Sequence, residues 1–257
     1  MVRGIDTFKQ YFAEFENSYI IIGGSACDII ETEVGQNPRA TKDIDIILIV
    51  EALSSEFVSR FWQFIEDGAY ETREKGDGKS EFFRFMKPKA DNFPFQIELF
   101  ARKPDILEIP ANSKLIPIPT DEDLSSLSAI LMDNDYYNFT LEHSRVADGV
   151  RIANTESLIC LKAKAYLDLT ERKKLGEKID DNNIKKHFND IFRLALAITG
   201  DDHFSLPNSL IQDMTTFCDM ANTNLPDKNL FKAAGVGNVD PKTVLELIVS
   251  AFNIITE

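Results

Sequence analysis

The sequence has few of the residues that build disulfide scaffolds and zinc sites. Its three cysteines, Cys27, Cys160 and Cys218, lie far apart, and no Cys-x-x-Cys pair or histidine partner stands at zinc-binding spacing. The three histidines are equally scattered. The pattern argues against a disulfide-stapled fold and a zinc site, and it predicts that the cysteines are buried as small apolar side chains.

Long hydrophobic runs are also missing. No apolar segment approaches the roughly 18 residues that a membrane-spanning helix needs, and the chain does not open on a charged and then apolar leader. With 257 residues, 44% of them hydrophobic, the chain can bury the core of one large domain or two modest ones. We therefore expect a soluble cytoplasmic protein.

Positive charge is in the minority. The chain has 28 lysines and arginines against 42 acidic residues, a formal net charge of -14. Because affinity for polyanions rests on lysine and arginine contacts, this balance argues against nucleic-acid binding over the whole surface. Any contact with RNA or DNA must be local.

The first 153 residues predict an α/β domain. Alternating and continuous apolar segments mark the strands, and apolar residues at helical spacing mark the helices. The predicted strands are 19–22, 43–50, 81–88, 93–102, 115–118 and 136–143, and the predicted helices are 5–15, 25–34 and 54–66. Ser54 or Ser55 is the expected N-cap of the last helix.

From Thr155 onward the periodicity becomes helical throughout. Helices are predicted over 155–174, 183–199, 206–222 and 241–256. The sequence thus predicts an α+β protein with two domains, an α/β domain over 1–153 and a helical domain over 154–257.

Two glycines end the first predicted strand. Tyr19 to Ile22 read as a short buried strand, and Gly23, Gly24 and Ser25 lead from it into a helix. Glycines at such a place indicate either a sharp turn or a close approach of the backbone to another group, of which phosphate is one.

Two aspartates open the strand DIDIILIV. Asp43 and Asp45 are one residue apart, so both side chains leave the same face of a strand. Like charges beside a buried strand repel each other unless a cation neutralises them, and Mg²⁺ is a cation that takes carboxylate oxygens. The alternative is structural: Asp43 caps the strand and Asp45 points to solvent.

A third carboxylate lies within an apolar run. In FQIELF, Glu98 shares one face of a strand with Gln96, while Phe95, Ile97 and Leu99 share the other. A glutamate in so apolar a segment calls for a functional or ion-pairing reason.

The ordered set of a glycine turn, a pair of alternating aspartates and a third acid on a later strand resembles the nucleotidyltransferase superfamily that includes DNA polymerase β. The segment RATKDIDI is similar to the Arg-x-Thr-x-Asp-x-Asp segment of AbiEii and AbiGii type nucleotidyltransferases. ESLICLKAKA and KKHFNDIFRL resemble the helical second half of that group. The resemblance covers roughly residues 15 to 195.

This resemblance implies a polymerase β-like mixed sheet with flanking helices, followed by a helical domain that closes the nucleotide cleft. It implies transfer of a nucleoside monophosphate from a nucleoside triphosphate to an acceptor hydroxyl, with two Mg²⁺ ions as cofactors. Their ligands would be Asp43, Asp45 and Glu98, which are also the implied catalytic residues. The implied phosphate-binding residues of the turn are Gly23, Gly24 and Ser25.

The resemblance also implies roles for three more charged residues, and each of them has an alternative role. Lys162 would bind phosphate, or it is a solvated lysine. Arg39 would contact phosphate or acceptor, or it pairs with an acid and braces its loop. Asp190 would be a site residue of the second domain, or it pairs with Lys186.

The partners implied are a nucleoside triphosphate and an acceptor, which is a tRNA end, a protein hydroxyl or a small molecule. AbiEii-type proteins include bacterial toxins, so a neutralising antitoxin is a further implied partner. An inactive relative that serves as a binding or regulatory module is the remaining alternative. No membrane partner is expected.

Overall fold

The computed structural model describes residues 2–74, 82–100, 116–117 and 133–255. Within these ranges the chain divides into two compact units. The first contains 2–29, 40–74, 82–100, 116–117 and 144–153, and the second contains 30–39, 133–143 and 154–255. The second unit therefore includes residues 30–39, which the sequence prediction assigned to the first domain.

A mixed sheet forms the first unit. Its strands lie in the order β6-β3-β4-β5-β2-β1-β8-β7. Strand β1 pairs antiparallel with β2 and parallel with β8, and β2 pairs parallel with β5. The bounds are β1 Tyr19–Ile22, β2 Asp43–Leu48, β3 Glu71–Glu74, β4 Phe82–Met86, β5 Gln96–Phe100, β6 Ile116–Pro117, β7 Ser144–Ala147 and β8 Val150–Ala153.

Helices flank the sheet and make up most of the second unit. In the first unit they are α1 Ile5–Phe12 and α3 Ser55–Asp67, and α2 Gly23–Glu33 runs from the first unit into the second. The others are α4 Asn134–Glu142, α5 Thr155–Lys174, α6 Asp181–Leu194, α7 Asn208–Thr223, α8 Asn229–Ala233 and α9 Pro241–Ala251. The predicted mixed sheet with flanking helices and a helical C-terminal part is confirmed.

Aromatic side chains fix α1 and α3 in the first unit. The ring of Phe12 packs against those of Phe57, Phe61 and Phe64, with centroids 5.3 to 6.2 Å apart. Helix α3 begins where predicted, because the Ser54 hydroxyl accepts a hydrogen bond from the Phe57 amide. All four rings are buried, and each large ring contributes roughly 2 kcal/mol or more by leaving water.

Strand β2 lies in the middle of the sheet. Its isoleucines, Ile44 and Ile46, are almost completely buried, while Asp43 and Asp45 on the other face are partly exposed. This burial explains why DIDIILIV is so apolar beyond its aspartates. The strand is central, as predicted.

The predicted strand over 136–143 is wrong, because these residues belong to helix α4. Asp133 caps this helix by accepting hydrogen bonds from the amides of Asp135 and Tyr136. Tyrosine, phenylalanine and threonine favour strands, but the buried side chains of α4 recur at helical spacing, and packing overrides the propensity. These buried residues are Tyr136, Tyr137, Phe139 and Thr140.

A hairpin after α4 was missed. Strands β7 and β8 pair antiparallel across Asp148 and Gly149, both with positive φ, at 48° and 74°. This two-residue Asp-Gly turn is a well-known hairpin signal, and it could have been read from the sequence. Strand β3 and helix α8 were also missed.

The second unit packs around α5, which α6 and α7 contact through aromatic side chains. The ring of Tyr166 lies 5.2 Å from that of Phe188 and 5.7 Å from that of Phe217. Cys160 and Cys218, like Cys27 in the first unit, are buried, which confirms their prediction as small buried side chains. Among the residues the structure describes, no helix has the length and apolar character needed to cross a membrane.

Candidate active site

The three predicted carboxylates of the first unit meet on one face of the sheet. Asp43 and Asp45 alternate along β2, and the parallel register of β2 with β5 places Asp45 directly beside Glu98. Side chains at paired positions point to the same face of a sheet. The fold therefore gathers acids that are more than fifty residues apart in the sequence.

Gly23 allows the backbone to approach this acidic face closely. Its φ is +65°, and a Cβ added to it would overlap the Oδ2 atom of Asp45. Only glycine adopts that backbone conformation without strain and also leaves space for the carboxylate. The glycine predicted for close approach thus adjoins a carboxylate of the same unit, and its predicted phosphate contact, with that of Gly24, stays a prediction.

Ser25 is completely buried, and its hydroxyl donates a 2.5 Å hydrogen bond to the main-chain carbonyl of Asp43. The bond ties the first turn of α2 to the start of β2. Because a hydroxyl has one proton, this proton already has an acceptor. The predicted contact of Ser25 with phosphate therefore requires an exchange of this bond and stays a prediction.

Glu98 is buried among polar partners. Its Oε1 atom lies 2.7 Å from an Arg84 guanidinium nitrogen and accepts a 2.6 Å hydrogen bond from Gln96. Burial, and then the negative charge of Asp45, raise the pKa of Glu98 to about 8, although Arg84 acts in the opposite direction. At neutral pH Glu98 therefore holds a proton, which it shares in a hydrogen bond with Asp45.

The donor chemistry of this face fits a hard divalent cation, since Asp43, Asp45 and Glu98 offer only carboxylate oxygens. Within the described ranges, however, no three His, Cys, Asp or Glu side chains converge as a metal site. Glu98 is directed to Arg84 and Gln96, and it lies beside Asp45 in the register of β2 and β5. Metal binding by the two aspartates is compatible with this arrangement, whereas Glu98 would have to reorient.

The raised pKa of Glu98 predicts that stability falls with rising pH in the metal-free protein. Between its ordinary pKa of 4.5 and about 8, the folded chain holds a proton that the unfolded chain has lost. This stabilisation is complete below the lower value and is lost as pH rises through the higher one, by at most about 1.4 kcal/mol per pH unit. Urea unfolding in EDTA between pH 6.5 and 8 measures it.

Glu98→Gln supplies the control, because glutamine has no proton to lose. We expect this variant to show a shallower decline of the unfolding free energy over the same pH range. Equal slopes for the variant and the wild type would show that Glu98 is ionised at neutral pH.

Lys162 and Arg39 belong to the second unit, where they share one carboxylate. Lys162 Nζ lies 2.7 Å from Asp190 Oδ2, and an Arg39 guanidinium nitrogen lies 3.5 Å from the same oxygen. Lys162 and Asp190 are buried, whereas the Arg39 side chain is 43% exposed. Lys162 is therefore not a solvated lysine, and Arg39 pairs with an acid as one alternative expected.

The cations of this cluster act on its titrating groups. Burial alone would raise the pKa of Asp190, but Lys162 and Arg39 outweigh it and hold that pKa below its usual range. Burial, and then Lys162 and Lys186, lower the pKa of His187 to about 3. The Nδ1 atom of His187 is buried without a hydrogen-bond partner among the described residues. Protonation of His187, which would add a further positive charge to this cluster, is therefore disfavoured.

Lys162→Met is predicted to destabilise the protein by about 3 to 5 kcal/mol, because among the described residues it leaves the buried carboxylate of Asp190 paired with the half-exposed Arg39 alone. Urea unfolding measures the loss, and any fall in triphosphate affinity has to be read beside it. Adding Asp190→Asn should recover part of the stability. A Lys162→Met protein as stable as the wild type would contradict the prediction.

Lys164→Met, in the same helix, is the matched control. Lys164 pairs with Asp213 at 2.8 Å, and its side chain is 36% exposed. Such a pair contributes about 1 kcal/mol or less.

Lysines and arginines outnumber acidic residues between positions 162 and 193, but most of them, unlike the buried Lys162 and Arg193, are at least partly exposed to solvent. Ion pairs join Arg172 to Glu177 and Lys174 to Glu171, at 2.8 and 3.7 Å. Lys173 pairs with Asp181. Acidic residues therefore neutralise much of the local positive charge that could have formed a phosphate patch.

Sequence reasoning missed four polar residues: Arg84 and Gln96 beside Glu98, and the buried pair of Arg193 and Glu31. Arg84 is a charged residue within the apolar run EFFRFMK, which is the signal that singled out Glu98. Arg193 in IFRLAL carries the same signal. Their partners depend on strand register and helix packing.

Comparison with known proteins gives structural neighbours only. Neither a protein-family model nor a curated protein sequence matches the chain. The fold is similar to that of an antigenic nucleotidyltransferase-like protein from Paracoccidioides brasiliensis, with 14% identity, 90% of each chain covered and a TM-score of 0.45. It is also similar to the antibiotic-resistance factor ANT(2'')-Ia, with 14% identity, 77% of this chain and 85% of that chain covered, and a TM-score of 0.37.

Proposed function

We propose that the protein is a magnesium-dependent nucleotidyltransferase that moves a nucleoside monophosphate from a nucleoside triphosphate to an acceptor hydroxyl. The observation that carries the proposal is the register of Asp45 with Glu98, beside Asp43 and against Gly23. Burial and the neighbouring charges of Asp45 and Asp43 raise the pKa of Glu98, and a bound cation would offset those negative charges. The ordered motifs of the sequence support the same activity.

In this reaction a bond forms between the acceptor oxygen and the α-phosphorus, the bond to pyrophosphate breaks, and the hydroxyl proton leaves. Bound magnesium would supply charge neutralisation for the attacking and leaving oxygens. Asp43 and Asp45 would hold the cation through their carboxylates. Glu98 would accept the hydroxyl proton once ionised, while Arg84 and Gln96 orient its carboxyl group.

Calorimetric titration with each of the four ribonucleoside triphosphates, with and without magnesium, tests the proposal. We expect magnesium-dependent binding by the wild type and its loss in Asp43→Asn/Asp45→Asn. Asp148→Asn, an exposed aspartate of the same unit that pairs with Lys9, should bind as the wild type does. Binding that ignores magnesium, or that survives in the double variant, would overturn the proposed site.

The contact between Arg84 and Glu98 favours a second candidate, an inactive relative that binds ligands without transfer. Here the guanidinium occupies a carboxylate oxygen of Glu98 in place of a metal. This candidate predicts triphosphate binding that magnesium does not change. The acceptor, whether a tRNA end, a protein or a small molecule, and a role as a toxin with an antitoxin partner stay predictions of the resemblance.

A further inference from the structure

A buried arginine of helix α6 holds the segment that carries Arg39. The Arg193 guanidinium contacts both carboxylate oxygens of Glu31, at 2.5 to 3.2 Å, and donates a 2.5 Å hydrogen bond to the carbonyl of Asn37. Arg193 and Glu31 are 5% and 2% exposed, so the pair is almost out of water. Charged hydrogen bonds in such surroundings are strong and geometrically specific.

The same segment has further contacts within the second unit. The Gln36 side chain donates to the main-chain carbonyl of Arg193 at 3.3 Å, and the Gln36 amide donates to the carbonyl of Glu31 at 2.8 Å. The Asn37 amide donates to the carbonyl of Ala234 at 2.8 Å. Residues 31 to 37 are thus fastened by main-chain and side-chain bonds together, immediately before Arg39.

Arg39, in contrast, has a longer and more exposed contact. Its guanidinium shares one oxygen of Asp190 with Lys162, and the distance for Arg39 is 3.5 Å against 2.7 Å for Lys162. Lys162 makes the shorter contact with that oxygen, and the Arg39 side chain stays 43% exposed. An exposed guanidinium held by so long a contact is suited to take an anion, because its fork matches phosphate oxygens.

We propose that Arg193 is a positioning residue that, through Glu31 and the carbonyl of Asn37, presents the Arg39 guanidinium to a polyphosphate. Arg193 itself does not touch the ligand. The inference deepens the proposed function, on which it rests for the identity of the polyphosphate as a nucleoside triphosphate. Its geometry, however, lies entirely within the second unit.

A double-mutant cycle on the full chain tests the inference, with inorganic tripolyphosphate as the probe and no magnesium present. We expect Arg39→Ala to weaken binding about tenfold, and Arg193→Lys, which keeps the charge but loses the planar fork, to weaken it several-fold. The double variant should bind no more weakly than Arg39→Ala alone, because Arg193 acts through Arg39. Arg172→Lys, which changes a partly exposed, ion-paired arginine of the same unit, should leave the affinity unchanged.

Hydrogen exchange supplies a readout that needs no ligand. In Arg193→Lys the amides of Gln36 and Asn37 should exchange faster, while those of α7 should stay protected. Unchanged affinity in Arg193→Lys, losses that multiply in the double variant, or no binding of tripolyphosphate by the wild type would each overturn the inference. Failure of magnesium-dependent nucleotide binding with the cycle intact would overturn the proposed function alone.

Discussion

Replacing Asp45 with asparagine is expected to lower nucleotidyl transfer by at least about a thousandfold, which corresponds to roughly 4 kcal/mol of transition-state stabilisation. Asparagine has the shape of aspartate but lacks its charge, so the cation loses a ligand on β2. Stability should not fall, since the asparagine side chain keeps an oxygen that can accept the hydrogen bond from Glu98 and lacks the negative charge that raises the pKa of Glu98. Pyrophosphate release with tRNA, protein and small-molecule acceptors measures the effect.

Asp148→Asn is the control for this experiment. Asp148 lies in the same unit, its side chain is 66% exposed, and asparagine tolerates its positive φ of 48°. It should release pyrophosphate at the wild-type rate. Wild-type release by Asp45→Asn would remove the acidic face from the mechanism.

Gly23→Ala is expected to be nearly as damaging to transfer, and to lower the free energy of unfolding by about 2 to 3 kcal/mol. Part of this loss is the strain of an alanine at a φ of +65°, and the rest follows from the overlap of its Cβ with the Asp45 carboxylate. A carboxylate displaced by about 1 Å can cost on the order of a hundredfold in rate. Urea unfolding and pyrophosphate release are measured on the same preparation.

Gly149→Ala separates the two causes. Gly149 lies in the same unit and has a φ of +74°, close to that of Gly23, but a Cβ added there meets only Lys9 Cδ, at 4.0 Å. We expect a similar backbone strain without a loss of transfer. If both variants lose stability and neither loses activity, the contact between Gly23 and Asp45 has no catalytic importance.

Local patterns were sufficient to predict most of the sheet and the long helices. The alternation in DIDIIL and the cap at Ser54 specify their elements without help from distant residues. The segment YYNFTLEH misled, because its β-prone residues are held as a helix by a cap at Asp133 and by burial of one side. Packing decides that this segment is a helix, and a short stretch of sequence does not contain that information.

The acidic residues of the candidate site could be predicted from the sequence, but which of them lie next to each other could not. Asp43, Asp45 and Glu98 could be chosen as charges in apolar strands. That Asp45 stands beside Glu98 depends on the register of β2 with β5, which the sequence does not determine locally. The proton that Glu98 keeps follows from this register and from burial, so it could not have been predicted either.

The ion pair between Arg193 and Glu31 has a consequence for recombination within the gene. The second unit takes its counterion for a buried guanidinium from a position 162 residues earlier in the chain. A recombination event that cut the gene at codon 153 and passed on only the downstream part would leave that charge unpaired, at a cost of several kcal/mol. A helical part separated from residues 30–39 would therefore be less stable than the same helices in the full chain.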